Sequence, residues 1–434
     1  MDYLLHLPAL VKILVIFILI VITNHYRFHL GLAALAGGIM LALWQGHSPG
    51  LIGSIVFHTL FDWSTIGLVL VLAAILALSA VMKDNGIMEQ IVTSYRGFFQ
   101  SVKMTLVTLP MIIGLLPMPG GAIFSAPLVD SFDPQHKLDN REKAIVNYWF
   151  RHTIELWWPL YPAFIFTIDL TRLEIWQLVV VNLWMTPVFI IIGMLYILKK
   201  HDLNHLNEFK PARKQFFQAV MPIFLIVIVY FVAFIVCQLF QSIGETMMGI
   251  AIFAEFKRYV PILLGLLISL FLLFKRYSKA HWYRYFYSKN IGMLIGTIAG
   301  IKIFAGIIDQ THLAGLITAE FQALHIPLLS IIMLLPFITG LVTGVGFAYV
   351  GISFPIILAL LPAGLPILKF ISYIMLAGVF GYAGMMISPM HICMVVTADY
   401  FKSSLWGILK TIIPMTLIAV IVGILYFLLL GVIA

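Results

Sequence analysis

Charge and cysteine are scarce in this sequence. Only 10% of its 434 residues are Asp, Glu, Lys or Arg, against about 25% in an ordinary soluble domain. With a mean hydropathy of +1.06, there is too little polar side chain to cover a globule, so a soluble fold is excluded. Aromatics make up 14%, which excludes disorder. Cys237 and Cys393 both lie inside apolar runs, so a disulfide scaffold is excluded and both read as buried free thiols. Other chemistry is missing too. There is no phosphate loop, no HExxH helix, no Ser in a GxSxG turn and no aspartate pair within apolar runs. Nucleotide-driven pumping, metalloprotease, hydrolase and aspartyl protease mechanisms therefore lack their parts, and no enzyme is expected. His152 and Glu155 make only an HxxE pair, with no third ligand nearby in sequence, so no metal is expected. The N-terminus, MDYLLHLPAL, lacks a basic segment and a small-residue cleavage site, so the first helix is expected to be retained.

Apolar side chain is what the sequence has in abundance, 62% of it. A helix crosses the hydrocarbon with roughly 20 apolar residues. Ten runs qualify: 8–23, 28–44, 65–82, 143–168 and 176–198, then 215–240, 260–274, 291–308, 369–396 and 405–433. The chain reads as an all-α polytopic membrane protein with five spans in each half.

Two regions do not fit a simple crossing. In the first, Ile87, Met88, Ile91, Val92, Tyr95, Phe98 and Phe99 form one helical face, with Glu89, Gln90, Ser94 and Arg96 opposite, the pattern of an interfacial helix. The stretch that follows, MTLVTLPMIIGLLPMPGGAIFSAPLV, runs into a charged loop at 137–143 and reads as a re-entrant hairpin. With both hairpins left out of the crossings, eighteen Lys and Arg fall on one side, among them Arg27, Arg96, Lys137, Lys143 and Lys279. Four fall on the other: Arg172, Lys257, Arg258 and Lys369. The net charge of +8 is thus a cytoplasmic-loop bias rather than a nucleic-acid signal. Both termini, and the loops near Arg172 and Gln322, are expected to face outward.

The second irregular region repeats the first. Leu109-Pro110 followed by Gly114 recurs as Leu335-Pro336 followed by Gly340, a shift of 226, and Phe150 and Pro159 recur as Phe380 and Pro389, a shift of 230. Residues 1–198 and 215–434 therefore read as two repeats joined by a cytoplasmic linker, 199–214. An odd number of spans per repeat inverts the second. Inverted repeats with interrupted helices are the architecture of secondary transporters, and the interruptions point to the binding site.

That reasoning selects the candidate residues. Gly120, Gly121, Gly344 and Gly346 at the hairpin tips allow backbone to approach a solute, and the helix N-termini there favour an anion. Ser125 and Ser353 can add hydroxyls or bond their own preceding turn. Arg151, His152 and Glu155 form the densest ionisable cluster inside a span, beside Pro159 and Pro162. Arg151 can hold a substrate anion and His152 and Glu155 can serve ion coupling; alternatively Arg151 and Glu155, four apart, simply neutralise each other. Ser388 and His391 mark the second interruption. Lys302 is a further intramembrane charge expected to find a carbonyl or acidic partner, and Gly292, Gly296 and Gly300 form a small-residue packing row.

LPMPGGAIFSAP at 116–127, NYWFRHTIELWWPLYP at 147–162 and GMMISPMHICMVV at 384–396 resemble an integral membrane family known as domain of unknown function 401. The likeness covers nearly the whole chain. That family in turn resembles the ion transporter superfamily of gluconate permeases and citrate and dicarboxylate carriers. The tips here carry Pro119-Gly120-Gly121 and Thr343-Gly344-Val345-Gly346 in place of the carboxylate carriers' Ser-Asn-Thr signature. The resemblance implies hairpins entering from opposite sides, broken helices facing their tips, a homodimer and elevator-like motion. The expected function is ion-coupled secondary transport of a small organic anion, a carboxylate or sugar acid, with Na+ or H+ as coupling ion. The expected location is the prokaryotic cytoplasmic (inner) membrane. A channel, or transport of a cation or neutral solute, is the alternative.

Overall fold

A computed structural model describes residues 7–433 apart from 27, 96–97, 100, 119, 134–136, 204–209, 211, 278–281, 312, 314–315, 317–318, 321–323, 326 and 363. Arg27, Arg96, Pro119, Lys279 and Gln322 lie outside the described residues. Among those described, every regular element is helical. Seven helices are long and apolar enough to cross a membrane: Trp63–Asp84, Ile175–Lys200, Arg213–Leu239, Ile250–Tyr277, Lys289–Gln310, Ile367–Met386 and Leu405–Ile433. The chain is a multi-pass membrane protein. Ala9–His25 and Leu30–Trp44 are shorter apolar helices, and the run at 143–168 is divided into Asn140–Arg151 and Pro162–Thr171.

Local chemistry sets the helix starts. Asp62, Ser101 and Ser288 each accept a backbone N–H at the beginning of a long helix, and Asp139 with Glu142 forms a complete capping box ahead of Asn140–Arg151. A helix that the hydropathy does not announce, Pro49–Leu60, starts the same way, with Ser48 as cap and Pro49 in the first turn.

Both hairpins are present, as Val102–Gly114 with Ala122–Ser131 and as Leu328–Thr343 with Gly346–Leu360. Gly120 and Gly344 turn the chain with φ of +67° and +64°, a conformation that costs any residue with a Cβ. The first helix of each hairpin packs on the first segment of its own half's broken helix. A Cβ on Gly114 would lie 2.4 Å from the carbonyl oxygen of Arg151, and Cβ atoms on Gly340 and Gly384 would lie 2.2 and 2.1 Å from those of Gly381 and Phe337. The second helices cross over: Ala122–Ser131 packs on Ile392–Tyr400, and Gly346–Leu360 packs on Pro162–Thr171. Tyr148 donates to the Met386 carbonyl and Tyr382 to the His152 carbonyl. Each tyrosine sits four residues before the carbonyl its counterpart uses, so the two hydrogen bonds are reciprocal.

Ile175–Asn182, Met185–Tyr196 and Leu405–Ile433 pack on the broken helices and on one another, whereas Leu30–Trp44, Trp63–Asp84, Ile250–Tyr277 and Lys289–Gln310 form a second group. Here the small-residue row differs from expectation: Gly300 and Gly296 meet Gly31, whereas Gly292 faces open space. The first arm, Ile87–Tyr95, buries Ile87, Met88, Ile91, Val92 and Tyr95 as expected, and also Ser94 from the face read as polar, whose hydroxyl donates to Ile91 O; the Tyr95 ring lies 5.2 Å from that of Phe216. Cys393 is buried and Cys237 half-buried, both free.

Candidate functional site

The two tips and the two interruptions meet. Helix Asn140–Arg151 is buried along almost its whole length and stops at Arg151, whose side chain is 2% exposed. Its guanidinium rests against the first tip, where a Cβ on Gly121 would fall 2.3 Å from Nη2. Glycine is what lets it in. Nη1 is buried without a hydrogen-bond partner.

The reading in which Arg151 and Glu155 neutralise each other fails on geometry. An i,i+4 pair needs a continuous helix, and this one ends at Arg151, with 152–157 in turns. Among the described residues, the basic side chain within 4.0 Å of Glu155 is His152, with Nε2 to Oε2 at 3.9 Å. Glu155 instead borders the second tip, 3.3 Å from where a Cβ on Gly346 would stand, and lines a cavity of about 20 Å³ with Asn182 and Tyr349. That is room for a single water.

His152 and His391 come together from the two interruptions. Their Nε2 atoms are 3.1 Å apart, and their Nδ1 atoms lie 2.7 Å from the Tyr148 carbonyl oxygen and 2.6 Å from that of Gly344. Cys393 joins them, with ligand atoms of all three within 4.8 Å of one another. His152 alone had no third ligand in sequence; the fold supplies two from the other half. Among the described residues, these three side chains form the group that could hold a metal. Sequence reasoning picked both histidines without their meeting, and took Cys393 as a packing thiol.

The hydroxyls serve the backbone. Ser388 accepts from Met390 N at 3.2 Å and shapes the second interruption, Ser125 donates to Ala122 O at 3.3 Å, and Ser353 donates to Tyr349 O. Gly120 approaches Ile392 and Val396 of the other half's broken helix. Asn147 is a residue the sequence did not single out. Its Nδ2 donates to Ala122 O at 3.0 Å and Thr397 Oγ1 at 3.1 Å, tying the start of the first hairpin's second helix to the second broken helix, while its Oδ1 has no partner.

A second polar cluster lies apart from this one. Lys302 finds its expected acidic partner in Asp169, Nζ to Oδ2 at 2.9 Å, and donates to Ser64 Oγ at 2.9 Å. Tyr259 donates to the other Asp169 oxygen. Lys302, Asp169 and Ser64 form part of the wall of a cavity of about 570 Å³, which Asp62, Arg172 and Asp309 also line. Asp169 belongs to the broken-helix group; Lys302, Ser64 and Tyr259 belong to the other group.

A comparison with curated proteins returns no match. The model of the family described as "Protein of unknown function (DUF401)" matches residues 7–433, which include both hairpins, both broken helices and every residue of the two clusters. The chain therefore belongs to this family.

Proposed function

We propose that the protein is an ion-coupled secondary transporter of a small organic anion, a carboxylate or sugar acid, bound where the hairpin tips meet the broken helices. The observation that carries this reading is Arg151: a buried cation with an unpartnered Nη1, pressed against a glycine tip. An unpaired buried charge is costly and inside a membrane marks a site. A guanidinium presents a planar fork that matches a carboxylate. The first turns of Ala122–Ser131 and Gly346–Leu360 add partial positive charge nearby.

The architecture fits that role. Crossed packing of two hairpins on two broken helices is what inverted repeats at 1–198 and 215–434 would produce, with 199–214 as the cytoplasmic linker and both termini outward. In this reading the hairpins and broken helices move as one body against the other helices, an elevator motion, within a homodimer in a prokaryotic inner membrane. Na+ or H+ supplies the drive, and carbonyls of the unwound segments 152–161 and 387–391 are available to a cation. No reaction is assigned to the site.

The test is a thermal-shift screen of the purified full chain against small carboxylates, sugar acids and amino acids, each with sodium and with potassium. A solute that binds only the folded state adds about 2.7 kcal/mol at a hundred times its Kd. At least one organic anion is expected to raise the melting temperature. If only cations or neutral solutes do so, the anion assignment fails.

A further inference from the structure

The chemistry of the His152–His391 contact points to more than packing. A carbonyl oxygen can only accept, so each Nδ1 must carry the proton it gives to Tyr148 O and to Gly344 O. In the neutral rings both Nε2 atoms then turn lone pairs toward each other at 3.1 Å, buried, and the single thiol proton of Cys393 beside them can satisfy only one of the two, so they repel. A cation between them removes that repulsion.

The surroundings select the kind of cation. Two imidazole nitrogens bound at about 2.0–2.1 Å in a tetrahedral site stand about 3.3 Å apart, close to the separation seen here. Orientation of a ligating ring by a backbone carbonyl on its other nitrogen is the usual support of a metal-bound histidine, and both rings have it. Cys393 brings a sulfur and Glu155 a carboxylate oxygen 3.9 Å from His152 Nε2. Two imidazoles and a thiolate form a borderline-soft donor set that suits zinc or cobalt and not sodium or magnesium.

We infer that His152, His391 and Cys393, with the fourth position left to solvent, bind one divalent transition-metal ion that ties the two interrupted helices together. Binding is balanced by loss of the thiol proton: the metal–sulfur bond replaces the sulfur–hydrogen bond and one proton leaves to solvent. A 2+ ion on one thiolate, with the Glu155 carboxylate beside His152, sums to neutral, so the positive charge of Arg151 is left over for an anion. The inference does not depend on transport, since metal binding is read with no solute present.

Cobalt(II) is the probe, added to the reduced, purified full chain in detergent and followed by absorbance. Tetrahedral cobalt bound through a thiolate gives strong visible bands and a thiolate-to-cobalt charge-transfer band that octahedral surface cobalt lacks. The expected result is saturation at one cobalt per chain, with displacement by zinc. The charge-transfer band should persist in Cys237→Ser, where Cys393 is the sole thiol left, and vanish in Cys393→Ser. His391→Ala should weaken binding by at least about 100-fold. No saturable tetrahedral spectrum in the wild-type protein overturns the site, and so does loss of the band in folded Cys237→Ser. The Cys237→Ser arm assigns the sulfur even if Cys393→Ser does not fold.

Discussion

Arg151→Gln is expected to leave the protein folded, to keep or raise its ligand-free melting temperature, and to cut anion affinity by about 2 to 5 kcal/mol, on the order of 30- to 5,000-fold. The two halves of that expectation have one cause. In the ligand-free protein the guanidinium is 2% exposed, carries an unpartnered Nη1 and makes no ion pair among the described residues. Its burial costs free energy that no carboxylate within ion-pair distance offsets among the described residues, and a neutral amide of similar reach removes most of that cost. What glutamine cannot supply is a charged fork for a carboxylate. Thermal melts with and without the anion found by screening separate the two effects. Were Arg151 a structural partner of Glu155, the substitution would leave a buried carboxylate alone and lower the ligand-free melting temperature. An equal ligand-induced shift in variant and wild type would remove Arg151 from the site.

Lys302→Met is expected to do the opposite. Asp169 is 1% exposed and accepts from both Lys302 and Tyr259. Taking the ammonium away strands a buried carboxylate at a cost of about 3 to 5 kcal/mol, since breaking a buried pair costs far more than replacing it whole. Adding Asp169→Asn removes the stranded charge, and the double variant should recover most of the lost stability. A single variant as stable as wild type, in melts of detergent-purified protein, would contradict the pairing. The pair also joins the broken-helix group to the other group of helices.

Much of this geometry was legible because Gly and Pro act locally. Gly120, Gly344, Pro110 and Pro336 announce turns and irregular helices wherever they stand, so both hairpins and both interruptions follow from the sequence. The shift of 226 likewise carries the start of Val102–Gly114 onto the start of Leu328–Thr343. Along the broken helices the shift is not constant, because the first interruption, 152–161, is longer than the second, 387–391. That difference hid the register in which Tyr148 and Tyr382 exchange hydrogen bonds.

Residues whose meaning depends on a distant partner were not legible. Asp169 is a single acid in an apolar segment, and its cation is 133 positions away. Asn147 reaches Thr397 across 250 positions, and His152 reaches His391 across 239. Nothing within a helical turn of any of them reports the contact. The Arg151–Glu155 pairing had the converse fault: a local spacing rule was applied across a helix end that only the structure reveals. Pro49–Leu60 went unseen because its 12 residues are too few to stand out as a span, although Ser48 and Pro49 are a start signal.

Gradient-driven uptake into proteoliposomes bears most directly on the transport claim. Purified protein is reconstituted, and a radiolabelled organic anion identified by thermal shift is offered with an inward sodium gradient, an inward proton gradient, or neither. Secondary transport requires accumulation above the external concentration with one of the two gradients, saturation with solute, and collapse when an ionophore dissipates that gradient. Equilibration to the external concentration, at a rate that neither gradient changes, would contradict ion-coupled transport and leave a passive pore in its place.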